Sequence, residues 1–261
     1  IEGFFNGIYT GQWDTTDWAI ARNTDVYENT IFQIGDDGLE PEGACVNHKF
    51  FENAIGEVHN AVSLAPIETG PTWLVRNVIV EFKGHALKLN NGSTGHMLVY
   101  HNTSVPHPDV DSAQPLAPSI PFGGFYARNN IWTSNRYVIE YMQDSVAGVV
   151  DMDFDNLFTY NTDGGSRFVK WMDVRYADLA EFQTGAGLEA NGLSVAPEYE
   201  DAPNGDYSPV VGSALLNNGE LIAGINDRFW RRSFNVPKVV GHFDLNTNVH
   251  KVSPMGKISD S

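Results

Sequence analysis

VYENTIFQIGDDGLEP (residues 26–41), FFENAIGEVHNAVSLAP (50–66), LVRNVIVEFKGHALKLN (74–90) and VYHNTSV (99–105) are one phrase written four times. Each copy carries an asparagine at the same place: Asn29, Asn53, Asn77 and Asn102 follow one another at intervals of 24, 24 and 25 residues. Asn129 and Asn156 extend the series at two intervals of 27. A fixed period of this length is the mark of a solenoid, in which each repeat buries its apolar face only against its neighbours. Every period holds two short strand-like runs, such as Phe50–Phe51 and Val62–Leu64, separated by Gly, Asn, Asp or Pro turns. Stacked parallel turns lie about 4.8 Å apart and hydrogen-bond to one another. An asparagine at one place in each turn bends the chain and stacks its amide on the turns above and below.

The chain resembles the right-handed parallel β-helix repeat proteins of the pectate-lyase-like superfamily. The resemblance runs from EGFFNGI (2–8) to a closing segment, NGDYSPVVGSALLNNGELIAGIND (204–227). It implies an all-β fold, a single-stranded right-handed parallel β-helix with loop insertions and a C-terminal tail. The general right-handedness of parallel crossovers agrees with that hand. Residues 1–160 carry the turns, and 161–261 form an irregular segment and tail packed on the same solenoid, one domain in all. A fold of this kind hosts many activities, so function has to be argued from particular residues.

Composition narrows the classes. A hydrophobic content of 42% supports a core, and a net charge of −17 at pH 7 speaks against nucleic acid, whose phosphates demand a basic surface. No apolar run approaches the ~18 residues of a membrane helix, so no membrane insertion is expected. The lone Cys45 allows no internal disulfide and is expected as a small buried residue. The start, Ile1-Glu2-Gly3-Phe4-Phe5, already reads like the middle of a turn, with no cap over the first apolar rung. The expectation is that preceding turns belong to a longer protein or come from another chain.

Along the chain, Gly7–Thr10 reads as the first rung, and the polar loop 11–19 carries Trp13 and Trp18, whose rings offer faces for sugar stacking. Asp25–Pro41 is the first full turn. Aligning its last strand with the next two puts Leu39, Val62 and Leu87 in an inward stack, and Glu40, Ser63 and Lys88 in an outward column facing solvent. Asp37, Asn60 and His85 fall one position before these strands. Residues 105–124, rich in proline, are expected as a loop rather than strand. The period resumes from 125 to 158 and is lost beyond Tyr160. A short helix is expected over 178–183, and Arg228–Arg232 form a basic patch around Trp230 that pairs internally or meets a partner subunit.

The chemistry follows from the acidic group. Asp36, Asp37 and Glu40, three carboxylates within five residues, offer hard oxygen ligands of the type Ca²⁺ takes. In β-helix polysaccharide lyases such an ion neutralises the uronate of an acidic polysaccharide, and a basic residue removes the acidified C5 proton. The resemblance therefore implies Asp36, Asp37 and Glu40 for the ion, and Lys88 or His85 as the base. Glu40, Ser63, Asn60, Trp13 and Trp18 would bind the chain. Glu40 and Lys88 lie two rungs apart, about 9.6 Å, a gap one uronate with its ion spans. Hydrolysis is the weaker fit. Asn23-Thr24-Asp25 and Gly35-Asp36-Asp37 faintly resemble the polygalacturonase pattern, whose carboxyls stand ~5 or ~6.5–9.5 Å apart. But Asp25 belongs to another face, and the family's Gly-His-Gly and Arg-Ile-Lys elements are missing. The leading expectation is a Ca²⁺-assisted lyase at an extracellular, periplasmic or cell-surface location. Its rival is a non-catalytic surface or assembly subunit that uses the solenoid as a scaffold.

Overall fold

One residue in the left-handed region turns the chain just before each rung of the amide ladder. Glu28, Glu52, Arg76, His101, Asn129 and Phe154 all have φ between 54° and 61°. This costs a non-glycine residue on the order of 1–2 kcal/mol, and the hydrogen bonds of the following side chain offset it. The structure, a computed structural model, describes residues 1–11, 21–161 and 167–226.

After β1 (Ile8–Tyr9), each turn lays down three strands. The first turn is β2 (Asp25–Tyr27), β3 (Thr30–Phe32) and β4 (Asp37–Glu40). Next come β5 (His48–Phe51), β6 (Ala54–Gly56) and β7 (Asn60–Ser63), then β8 (Thr72–Val75), β9 (Val78–Phe82) and β10 (His85–Lys88). The series continues with β11 (Met97–Tyr100), β12 (Thr103–Pro106) and β13 (Gln114–Leu116), then β14 (Phe125–Arg128), β15 (Ile131–Ser134) and β16 (Ile139–Glu140). It ends on β17 (Val150–Asp153), β18 (Asn156–Thr159) and β19 (Val169–Trp171). Every third strand stacks, giving a first sheet β1-β4-β7-β10-β13-β16-β19, a second β2-β5-β8-β11-β14-β17 and a third β3-β6-β9-β12-β15-β18. Pairing within each is parallel until β20 (Val174–Tyr176) returns antiparallel to β19. The chain is thus a parallel β-solenoid, as the repeat requires. The sequence reading distinguished two strands per turn; the third, typified by Ala54–Gly56, is too short to show its own alternation.

The amide ladder is real and differs at its end. Asn29 donates to Asn53 Oδ1 at 3.0 Å, Asn53 to Asn77 Oδ1 and Asn77 to Asn102 Oδ1, both at 2.9 Å. The next two rungs are Asn130 and Asp155, each accepting at 2.9 Å from the rung before. Asn129 and Asn156, expected there, lie one residue aside. Asn129 takes the left-handed corner and Asn156 ties to Val195. Adjacent Asn129 and Asn130 are indistinguishable by spacing, because the preceding insertion has a free length.

Inside, Ile8, Leu39, Val62, Leu87, Leu116, Ile139 and Val169 pair in one register through the first sheet, confirming the expected stack. Phe50, Leu74, Val99, Ala127 and Met152 do the same in the second. Burial of such side chains is worth about 1.5–3 kcal/mol each. The proline-rich stretch does not interrupt the solenoid: β12 and β13 run through it, and only 107–113 bulges outward. Nor does the period end at Tyr160, since β19 completes another turn. Helix α1 (Leu179–Ala186) follows, capped by Asp178, whose side chain accepts from Glu181 N. The tail then lies along the solenoid, with a hairpin β21 (Tyr199–Asp201) and β22 (Asp206–Pro209). Arg76 donates to Ile225 O at 2.6 Å, and Asn129 to Glu220 O at 2.9 Å. Cys45 is buried, as expected of a small core residue, its thiol donating to Pro41 O. Among the described residues no helix is long and apolar enough to cross a membrane.

Candidate functional site

Strands of the first sheet bend midway. Ala61 with Val62, and Ala86 with Leu87, both enter the core side by side, so the first and last residues of each strand share the outer surface. Asp37, Asn60 and His85 are therefore strand residues, not positions ahead of the strands. They flank one side of a patch whose other side is Glu40, Ser63 and Lys88, with Ser63 paired to Lys88 in register. At Gly38 the next strand approaches closely: a Cβ there would stand 2.8 Å from Ala61 O and 2.9 Å from Ile55 Cγ2.

The structure draws this patch together more tightly than rung spacing suggests. Lys88 reaches across two rungs, its Nζ 2.6 Å from Asp37 Oδ2, so the expected gap is closed by the lysine itself. Asn60 Nδ2 donates to Asp37 Oδ1 at 2.9 Å, and its Oδ1 accepts from His85 N at 3.1 Å. The acidic trio is also revised. Asp37, Glu40 and Glu42, all buried, bring one carboxylate oxygen each within 4.8 Å of one another. Asp36 is not a member of this group, although its charge is felt by it. Glu42 takes its place because the chain runs on past Pro41 without a turn, which puts Glu40 and Glu42, two residues apart, on one side, and Ser63 Oγ donates to Glu42 Oε1. Two glutamates flanking one proline were the available signal for it. Glu40 does not point into solvent as expected; it is 7% exposed, and its Oε1 has no hydrogen-bond partner among the described residues.

The electrostatics follow from this crowding. Burial, then the charges of Asp37 and Glu42, push the Glu40 carboxyl up to about 7. Burial likewise raises Glu42, against the opposing bond from Ser63. Burial pulls Lys88 down, but its bond and attraction to Asp37, with Asp36 and Glu42 behind it, outweigh that and hold it above the ordinary value. His85 moves the other way, lowered by burial, with partial compensation from the Gln114 carbonyl that its Nδ1 meets at 3.3 Å. Lys88 is therefore a fixed positive charge and His85 a neutral imidazole at pH 7.

Asp37, Glu40 and Glu42 could hold a cation between them. Oxygens within 4.8 Å of one another suit an ion bonded at about 2.4 Å, and Glu40 Oε1 is buried with no hydrogen-bond partner among the described residues. Further along the sheet the charges pair among themselves: Gln114 and Arg136 both bond Glu140, and Lys170 bonds Asp173. Asp25 lies on the second sheet against Lys49, away from this surface. Trp13, Trp18 and the Arg228–Arg232 patch fall outside the described residues. Comparison with known proteins finds no matching family model, no matching curated protein and no matching solved structure.

Proposed function

We propose that this solenoid is a carbohydrate-active protein of the pectate-lyase-like kind, a cation-assisted lyase acting on an acidic polysaccharide outside the cytoplasm. The observation that carries the reading is the juxtaposition, on one outer surface, of the Asp37–Glu40–Glu42 carboxylates, the Lys88 ammonium and a neutral His85. A calcium ion held by the trio would neutralise the uronate carboxylate and so acidify its C5 proton. Lys88 supplies a second positive charge for the same carboxylate. Its raised pKa suits it to that role better than to proton removal. His85, its Nδ1 engaged by Gln114, presents Nε2 to accept the C5 proton. The C4–oxygen bond then breaks, a C4=C5 double bond forms, and the leaving oxygen takes a proton from solvent. Asn60 orients His85 through the strand backbone, while Ser63 holds Glu42.

The test is incubation with polygalacturonate, alginate and polyglucuronate in calcium, following the ultraviolet absorbance of the unsaturated uronate. The wild-type protein gives a rising signal on one of them. His85→Gln lowers kcat by about 10²–10⁴-fold, the ordinary worth of a general base, while Lys88→Arg keeps measurable turnover and raises KM. Full turnover in His85→Gln would remove the base assignment.

Burial of the same group favours a second reading. Carboxylates already closed over by Lys88 also serve as an internal brace, in a scaffold subunit without catalysis. Flat absorbance on every polyuronate, together with a dimer in sedimentation, would favour that reading.

A further inference from the structure

The tail crosses the outer face of the second sheet and leaves a cleft of about 330 Å³ between itself and the strands. Its floor is Tyr100 and Tyr126, on adjacent strands β11 and β14, and its wall is Glu220, Leu221, Ile222 and Ala223. Arg128 and Asp151 close it. This is a different sheet from the one bearing Lys88, and nothing in the proposed elimination uses it.

The chemistry of the cleft selects its ligand. The Arg128 guanidinium is consumed: Nε meets Glu220 at 3.0 Å, one terminal nitrogen meets the Asp151 carboxylate at 2.8 Å, and the other meets the carbonyls of Ala127 and Asp151. Two carboxylates against one cation leave the cleft negative, which disfavours uronates and phosphates. Asp151 and Glu220 keep 48% and 42% of their side chains exposed, so their remaining oxygens accept hydrogen bonds. Among the described residues the Tyr100 and Tyr126 hydroxyls have no hydrogen-bond partner. Both rings are held in place, Tyr100 by the edge-on Trp73 at 6.4 Å and Tyr126 by the stacked His96 at 5.9 Å. Aromatic surface with a polar tip, acceptors for hydroxyl groups and no free cation among the described lining residues suit an uncharged polyol ring. The volume lies at the lower end of small-ligand sites, about 300–1,000 Å³, so a single ring is accommodated.

We infer that the cleft between the tail and the second sheet is a binding subsite for one neutral pyranose residue, separate from the acidic patch of the first sheet. It anchors a glycan, or a neutral branch of one, on a neighbouring side of the solenoid.

The experiment titrates the whole protein with the methyl glycosides of glucose, galactose and mannose, read by saturation-transfer NMR and tryptophan fluorescence. Methyl glucuronide is the charged control. The expected result is saturable binding of at least one neutral glycoside at millimolar concentration, with the glucuronide at least about tenfold weaker. Tyr126→Ala weakens the neutral glycoside about tenfold at an unchanged melting temperature. Tyr100→Phe, which deletes one hydroxyl and keeps the packing, weakens it by about threefold, and this reading stands if Tyr126→Ala fails to fold. No saturation with any neutral glycoside, equal binding of the glucuronide, or unchanged affinity in both folded variants would each overturn the inference.

Discussion

Asn77→Ala removes the middle of the amide ladder, and its cost can be worked from the bonds it breaks. Asn77 Oδ1 accepts from Asn53 N at 3.1 Å and from Asn53 Nδ2 at 2.9 Å, while Asn77 Nδ2 donates to Phe50 O and Asn102 Oδ1, both at 2.9 Å. After truncation, Asn53 Nδ2 still has Val26 O and Asn102 Oδ1 still has Asn77 N. The Asn53 N–H is left buried without a partner, which costs about 1–3 kcal/mol, and each other lost bond adds about 0.5–1.5. The expected loss is about 2.5–7.5 kcal/mol. Asn29→Ala, at the open end, is the internal control: Asn53 Oδ1 keeps Asn29 N, and no buried donor is orphaned, so the loss is about 1 kcal/mol. Urea unfolding followed by circular dichroism separates the two. With a slope of about 3 kcal/mol per M, the Asn77 variant unfolds ~1 M or more below the wild type. If the two variants lose the same stability, the ladder is not carried by side-chain amides and the argument fails.

The ladder's last rung makes the protein sensitive to base. Asp155 and Glu189 are fully buried neighbours, with Asp155 N donating to Glu189 Oε2, and burial raises both carboxyls, Asp155 to about 7. Each is easier to protonate folded than unfolded, so stability held below the ordinary carboxyl range is lost as pH rises through about 7 and beyond. Asp155→Asn keeps the acceptor for Asn130 and removes the charge. It gains on the order of 2–4 kcal/mol at pH 8 relative to wild type and little at pH 4, by thermal melts at both. Gly38→Ala drives a methyl against the fixed Ala61 carbonyl and costs about 1–3 kcal/mol in the same urea assay.

Much of the architecture was legible because a solenoid turns sequence period into spatial contact. Asn29, Asn53 and Asn77 stack, and Leu39, Val62 and Leu87 line up, as their spacing demands. Legibility failed wherever an insertion changed the period. The bulge at 107–113 stretches one interval to 28 residues, so the ladder landed on Asn130 instead of Asn129. The rung after it is an aspartate, invisible to a search for asparagine. In the candidate site, register placed Ser63 beside Lys88, but rung arithmetic treats side chains as points. It missed that a lysine spans two rungs to Asp37, and that Glu42, two residues beyond Glu40 on the same side of the chain, takes the position given to Asp36.

The central functional claim is that Asp37, Glu40 and Glu42 hold a divalent cation. Isothermal calorimetry with calcium at pH 8, on wild type and on Glu40→Gln, tests it most directly. One site per chain is expected in the wild type, with at least about tenfold weaker binding in the variant, whose melting temperature no longer responds to the ion. Absence of calcium heat in the wild type, or equal affinity in Glu40→Gln, would contradict it and leave Lys88 as the cluster's cation.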